Sequence, residues 1–326
     1  MCGFAGVLKR EGIMGQEIEP ILRAMGQQIA HRGPDDEQLY CDEAVGLTFH
    51  RLSIVDVQQG RQPLENEDGS LVLVVNGEIY NHQALKSQLA SAHHFRSQSD
   101  CEVILHLYEE MGVDFLKHLN GMFALLLWDK RANILIAARD RLGIKPLYYT
   151  ISKERILFGS EIKALFAYPD CPRVFSFQQA LSDSLYTPYS IAGLTSFFEG
   201  IEYLPGGSFL MVDLPSDNIT VQPYWQLAPL SEEAYAADQR TEEQIIEGYR
   251  ELLADAVKMR LMADVEVGLF LSGGIDSVSV AAFAAQELSL QTFSVLSQST
   301  FQNGDARAGH LAAQHFGQPN HQVLFS

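Results

Sequence analysis

The hydrophobic pattern of this chain is organised differently before about residue 212 and after about residue 241, and that difference limits the folds open to it. Up to about residue 212 the apolar residues fall in short β-type runs: Val45–Phe49, Leu71–Asn76, Met122–Asp129, Ile134–Arg139, Leu147–Thr150 and Ile156–Ser160. Gly, Asn and Asp bound these runs, as they bound hairpin strands. Two stretches, Glu19–Ala30 and Cys101–Met111, space apolar residues three and four apart, which predicts helices. Runs of strands with helices between them predict an α+β layered domain over residues 1–212. Residues 213–240 carry Pro215, Pro223 and Pro229 and an acidic, polar stretch at Ser231–Gln239, and they read as a linker. At Thr241-Glu242-Glu243-Gln244 a capping box opens a helix that runs to about Met262. Strand and helix then alternate: Val265–Leu271, Ser277–Leu288, Thr292–Leu296, Gly304–Phe316 and His321–Phe325. Crossover helices of this kind join parallel strands, so 241–326 predicts an α/β parallel sheet. It is a thin sheet, incomplete as a doubly wound domain.

Charge and cysteine usage narrow the function classes. A length of 326 residues suits about two domains. A formal net charge of −18 repels nucleic acid and anionic membranes, while leaving room for a local phosphate pocket. The cysteines, Cys2, Cys41, Cys101 and Cys171, form no C-x-x-C pair. This argues against a thiolate zinc site or a thioredoxin-type motif and favours a reducing cytoplasm. The N-terminus lacks the basic and long apolar regions of a secretion signal. Phe123–Trp128 is too short an apolar run to span a bilayer.

Cys2 stands out by position. Removal of Met1 makes its α-amine a base with a pKa near about 7.7–8.0 beside a strongly nucleophilic thiol. Alone, Cys2 reads as readily as a small apolar core residue. Five further motifs surround it in the sequence. They are His31-Arg32-Gly33-Pro34-Asp35, Arg51-Leu52-Ser53-Ile54-Val55-Asp56, Asn76-Gly77-Glu78-Ile79-Tyr80-Asn81, Ser99-Asp100-Cys101-Glu102 and the stretch Ala138–Tyr149. In this order and spacing, across nearly all of residues 1–212, they resemble the class II (N-terminal-nucleophile, Ntn) glutamine amidotransferase domain in its asparagine-synthetase form. The resemblance implies an α/β/β/α fold and a glutaminase site. Cys2 is then the nucleophile, and the Asn76 side chain and the Gly77 N–H form the oxyanion hole. Arg51 would hold the glutamine α-carboxylate through paired hydrogen bonds. Asp100, helped by Glu78, would take the ammonium, and Ile54 and Val55 would offer backbone groups. Blander readings stay open residue by residue. Asn76-Gly77 is also a hairpin-turn signal. Arg51 and Asp100 also suit a surface ion pair. The His31–Asp35 and Arg139–Tyr149 stretches read as scaffold, the latter at a domain interface.

In the second half, Leu271-Ser272-Gly273-Gly274-Ile275-Asp276-Ser277 lies between a strand and a helix. Small residues let backbone approach a phosphate there, at a helix N-terminus that favours the anion. It is not a Walker A loop. With Arg260–Val265 ahead of it, the segment resembles the pyrophosphate (PP) loop of adenylate-forming enzymes, asparagine synthetases in particular. That implies ATP held by Leu271, Ser272, Gly273, Gly274, Asp276 and Ser277, adenine at the Val295 backbone, and Mg2+ at Asp276. Asp276 and Ser277 also suit helix caps. Phe293–Gln298 departs from the family pattern, which has Gly-Phe near positions 296 and 297.

The function implied is glutamine-dependent asparagine synthesis. Ammonia made at Cys2 amidates β-aspartyl-AMP, giving asparagine, AMP and pyrophosphate. The implied partners are glutamine, aspartate and ATP, in a homodimer. The family's synthetase region continues past the point matched by Ser326, so the expectation is a glutaminase with little or no ligase activity. Two other readings are an amidotransferase for a different carboxylate, in cell-envelope or natural-product synthesis, and a non-catalytic glutamine-binding remnant.

Overall fold

The computed structural model describes residues 2–325 apart from Ile13, Gln16, Gln179, 182–195 and 299–303. It divides into two compact units, Met1–Leu227 and Ala228–Ser326.

The strands of the first unit are β1 (Gly3–Lys9), β2 (Asp36–Cys41), β3 (Val45–Arg51), β4 (Leu64–Glu65), β5 (Leu71–Ile79), β6 (Gly121–Asp129), β7 (Ile134–Arg139), β8 (Tyr148–Ile151), β9 (Arg155–Gly159), β10 (Glu202–Tyr203), β11 (Ser208–Asp213) and β12 (Asn218–Pro223). They make two six-stranded sheets, ordered β10-β8-β9-β1-β3-β2 and β12-β11-β7-β6-β5-β4. The helices are α1 (Ile18–Gln27), α2 (His82–Gln88), α3 (Val103–Met111) and α4 (Ile162–Phe166).

Strand alternation sorts the side chains into layers. Val72 and Val74 of β5, with Leu126 and Trp128 of β6, share a core with Phe4, Leu8, Leu47 and Phe49 of the other sheet. The intervening Leu71, Leu73, Val75, Leu125 and Leu127 turn the other way and pack with Ile104, Leu105 and Leu107 of α3. On the far side, Ala5 and Val7 pack with Leu22 and Met25 of α1 and Leu165 of α4. The layers therefore run α/β/β/α, the Ntn arrangement. Near-continuous apolar runs in β1, β3, β5 and β6 follow from being covered on both faces. At Gly6 the sheets come close: a Cβ there would stand 2.9 Å from Leu126 Cδ1.

The stretch expected as a linker begins inside this unit. Asn218–Pro223 is β12, paired with β11 along its whole length. Its prolines misled because an edge strand tolerates Pro at its end, where an N–H is not needed.

In the second unit, α5 (Glu232–Ala237) precedes α6 (Glu242–Met259). Thr241 Oγ1 accepts from Gln244 N at 3.3 Å and Gln244 Oε1 accepts from Thr241 N at 2.9 Å, completing the capping box. Then follow β13 (Gly268–Phe270), α7 (Ile275–Glu287), β14 (Gln291–Leu296), α8 (Asp305–His315) and β15 (Asn320–Leu324). The three strands are parallel, in the order β13-β14-β15. Among the described residues no helix is long and apolar enough to cross a membrane.

Leu126 is buried between the sheets. Leu126→Ala should lower the unfolding free energy of the first unit by about 2–5 kcal/mol. Both tryptophans, Trp128 and Trp225, lie in that unit, so fluorescence-monitored urea denaturation reads it.

Candidate active site

Where β1 begins and β3 ends, the sandwich opens into a cavity of about 130 Å³. Cys2, Arg51, Ile54, Val55, Asn76, Gly77, Glu78 and Asp100 all line it. These are the residues singled out for the glutaminase site, drawn from four separate segments. Met1 lies outside the described residues.

Cys2 sits just before β1 and packs partly against the core between the sheets. Its Sγ accepts from Leu52 N at 3.3 Å and donates to Leu52 O at 3.4 Å, which ties it to the end of β3. Arg32 Nε donates to the Cys2 carbonyl at 3.0 Å, and Arg32 Nη1 pairs with Glu161 at 2.9 Å. The His31–Asp35 loop is therefore scaffold that reaches the Cys2 backbone. Burial pushes the Cys2 thiol above its ordinary range, against lowering by the Leu52 hydrogen bond and the Arg51 and Lys145 charges.

Asn76 and Gly77 are not a turn. Both lie inside β5, opposite Ala124 and Phe123 of β6. By alternation Asn76 shares the inner face with Val74. It is 1% exposed, and its Nδ2 has no hydrogen-bond partner among the described residues. The Gly77 N–H reaches the cavity by a different route, visible in the ladder. Val75 N donates to Gln62 Oε1 at 2.5 Å rather than to β6, and Val75 O accepts from Gln62 Nε2 at 3.1 Å. Ile79 N donates to Asp100 Oδ2 at 2.6 Å. Phe123, opposite Gly77, exchanges its backbone bonds with Asp140. Residues 75, 77 and 79 therefore aim their N–H groups at the outer edge of β5. Gln62 and Asp100 cap the first and last, and the Gly77 N–H lies between them, on the cavity wall. A Cβ on Gly77 would come within 2.2 Å of Met122 O, so only glycine fits this strand position.

The far end of the cavity carries charge. Arg51 and Asp100 are 5% and 4% exposed, and they are not a surface ion pair. Arg51 donates to the carbonyls of Val55 at 3.1 Å, Asp56 at 2.6 Å and Val57 at 3.1 Å. The Val55 carbonyl thus orients Arg51. Asp56 in turn accepts from Gln98 N at 2.8 Å, binding this loop to the segment that leads to Asp100. Burial raises Asp100 above the usual carboxylate range. Burial raises Glu78 too, with the Asp100 charge adding and Lys145 opposing.

Lys145 was read as scaffold, yet its side chain lines the cavity. Burial lowers its pKa, opposed by Glu78 and Cys2. Asp140 builds its loop by accepting from the backbone N–H groups of Phe123, Leu142, Ile144 and Lys145. Arg139 adds bonds to the carbonyls of Lys145 at 2.6 Å and Leu204 at 2.7 Å.

In the second unit, Ser272–Ser277 joins β13 to the start of α7 at the carboxyl edge of the parallel sheet. Gly273 has φ +91, and a Cβ there would stand 2.4 Å from Asp305 O. Ser272 Oγ lies 3.0 Å from Ser277 Oγ, and Ser277 Oγ donates to Gly274 O at 3.1 Å. Gly274 is the N-cap with no side-chain cap bond, so neither Asp276 nor Ser277 caps the helix. Asp276 is exposed in its first turn. Leu271 is buried at the foot of the loop, its N–H bonded to Phe293 O and its carbonyl accepting from Ser294 Oγ. Val295 sits half-exposed on β14, beyond Phe293, the last β14 residue paired with β13.

Residues 1–225 match the glutamine amidotransferase domain family. The chain belongs to that family. Residues 248–326 match the asparagine synthase family. Asparagine synthetase (glutamine-hydrolyzing) 2 of Bacillus subtilis is 48% identical over 100% of this chain and 44% of its own length. Amidase chry2 of Gibberella zeae is 39% identical over 87% of this chain and 43% of its own. Asparagine synthetase (glutamine-hydrolyzing) 2 of Oryza sativa is 35% identical over 100% and 50%. The chain thus spans about half the length of the curated relatives it matches. A solved structure of the allosteric regulatory enzyme of purine biosynthesis shares the fold, with TM-score 0.50 and 16% identity over 99% of this chain and 80% of that one.

Gln62 also lines this cavity and escapes a reading of the sequence. It is a lone polar residue beside Pro63 with no motif around it, and only the β5 edge shows its use. Gln62→Ala should strip both side-chain bonds from Val75. Hydrogen exchange at the Val75 amide should quicken about tenfold or more, with a stability loss of about 1–3 kcal/mol.

Proposed function

We propose that the first unit hydrolyses glutamine to glutamate and ammonia. The observation that carries this is the buried, unpartnered Asn76 Nδ2 beside the Gly77 N–H on the wall that also holds Cys2. Two such donors on one cavity wall suit an oxyanion. Once Met1 is removed, the Cys2 amine takes the thiol proton as Sγ attacks the glutamine amide carbon. The carbonyl oxygen gains charge against Asn76 and Gly77. Collapse expels ammonia, which takes the proton back, and leaves a glutamyl thioester that water hydrolyses. Arg51 receives the α-carboxylate. Asp100 and Glu78 receive the ammonium, whose charge offsets the burial that raises both carboxyls.

The second unit we assign to ATP. Its Gly-rich turn at a helix N-terminus supports a phosphate, and Asp276 is the group we assign to Mg2+. The ammonia acceptor we propose is aspartate activated as its adenylate, as the names of the Bacillus and Oryza relatives suggest. A second reading, amidation of a different carboxylate, draws on the amidase name of the Gibberella relative. Pyrophosphate release with a panel of acids separates the two. Free cysteines without a bridge among them support a reducing, cytoplasmic setting.

Mass spectrometry should find the mature chain starting at Cys2, and Cys2→Ala should abolish ammonia release. Thiol-independent glutamine binding without ammonia release would instead mark a sensor. Asn76→Ala should cut kcat roughly 10²–10³-fold while KM for glutamine changes little.

The pH dependence follows from Asp100. Binding the ammonium needs its ionised form, and burial raises its pKa. The acid limb of kcat/KM should therefore lie above the ordinary aspartate range, with activity lost as pH falls through it. Asp100→Asn should raise KM and flatten that limb, read from initial rates across pH 4–8.

A further inference from the structure

We propose that Glu67, His93, His106 and Glu109 form a structural site for a zinc-class divalent cation, apart from the glutaminase cavity. One ligand atom from each residue lies within 4.8 Å of the others, and none of the four lines that cavity. Both rings face Glu67 and Glu109, with Glu67 turning a different oxygen to each ring. His93 Nδ1 stands 3.5 Å from Glu67 Oε1 and 3.5 Å from Glu109 Oε2. His106 Nδ1 stands 3.8 Å from Glu67 Oε2 and 3.1 Å from Glu109 Oε2. Ligand atoms held about 2.0–2.2 Å from a tetrahedral zinc ion lie about 3.3–3.6 Å apart.

The outer nitrogens supply a second, independent observation. His93 Nε2 lies 3.2 Å from Glu110 Oε1, and His106 Nε2 faces Glu102 Oε1 at 3.9 Å. Each imidazole thus has a carboxylate behind it and carboxylates in front. A metal-bound histidine typically has its far N–H on a carboxylate, as His93 has on Glu110, whereas His106 Nε2 is buried without a hydrogen-bond partner among the described residues. The rings are deeply buried, His106 at 0% and His93 at 10% side-chain exposure. His106 Nδ1 is hydrogen-bonded to Glu109 Oε2 at 3.1 Å, a contact that a cation would replace. The ligating carboxylates are themselves oriented: Asn66 Nδ2 donates to Glu109 Oε1 at 2.8 Å and His94 N to Glu67 Oε1 at 2.8 Å. Backbone N–H groups of Ala90 and Ser91 donate to Glu110 at 3.0 Å and 2.7 Å.

The set of two imidazoles and two carboxylates suits zinc among common cations. The donors come from three places: Glu67 after β4, His93 between α2 and α3, and His106 and Glu109 one turn apart on α3. An ion there clips the segment ahead of α3 onto that helix. Glu102, behind His106, also accepts from Arg96 N at 2.6 Å and Ser97 N at 2.7 Å, so the clip continues toward Asp100.

The test is a calorimetric titration of EDTA-treated full chain with zinc chloride, alongside thermal melts. Zinc K-edge absorption on the loaded wild type should show imidazole nitrogen and carboxylate oxygen, with no sulfur. About one equivalent should bind and raise Tm. His93→Gln and Glu109→Gln should each weaken binding at least tenfold, Glu110→Gln about 10–100-fold, and Cys2→Ala not at all. The proposal is overturned if wild type binds no zinc, if binding survives in His93→Gln and Glu109→Gln, or if the absorption edge shows thiolate. Protons would then bridge the cluster as imidazolium–carboxylate pairs.

Discussion

The antiparallel ladder between β5 and β6 is the constraint on which this site depends. Strand geometry sends alternate N–H groups to opposite edges, so pairing at 74, 76 and 78 commits 75, 77 and 79 to the other side. On that side β4 covers only Leu73 and Val72. What the short β4 leaves uncovered, Gln62 and Asp100 cap at either end, and the Gly77 N–H between them faces the cavity. The same alternation turns the Asn76 side chain inward, toward the sheet that carries Cys2. One strand thus aims two donors at one place through two different chain atoms. Neither needs a loop to hold it, which suits groups that must not reorganise during a reaction.

Burial then sets the chemistry of what surrounds those donors. The cavity contains Cys2, Arg51, Glu78, Asp100 and Lys145. Each titrating group whose charge is altered there shifts toward its neutral form, and desolvation is the first cause every time. A zwitterion changes that balance at both ends. On the proposed reading, its carboxylate would meet a guanidinium held by three loop carbonyls, and its ammonium would meet two carboxyls made reluctant to ionise. A ligand carrying one charge alone would leave one end uncompensated, at the cost of an unpaired buried charge. This is a physical basis for preferring a free amino acid over a peptide-bound side chain.

Arg32, Asp140 and Arg139 bear on the site without entering it. Arg32 holds the Cys2 carbonyl, Asp140 gathers four backbone N–H groups into the loop that delivers Lys145, and Arg139 ties that loop to Leu204. Their motifs were visible in the chain, whereas their purpose was not, because each acts through backbone atoms far away in sequence.

Local chemistry in the sequence was enough to determine the two kinds of periodicity, the capping box at Thr241, the glycine-rich turn at 272–274 and the set of polar residues around Cys2. These depend on neighbours within a few positions, or on spacing repeated along a strand or helix. It was not enough to place the end of the first unit, since β12 is a strand only by pairing with β11. Nor could it choose between a turn and a strand for Asn76-Gly77: the dipeptide permits both, and the partner strand settles it. Gln62, Lys145 and the Glu67–His93–His106–Glu109 cluster became legible only when segments tens of residues apart came together. Proximity across the fold is a property of packing, and no local pattern in the chain carries it.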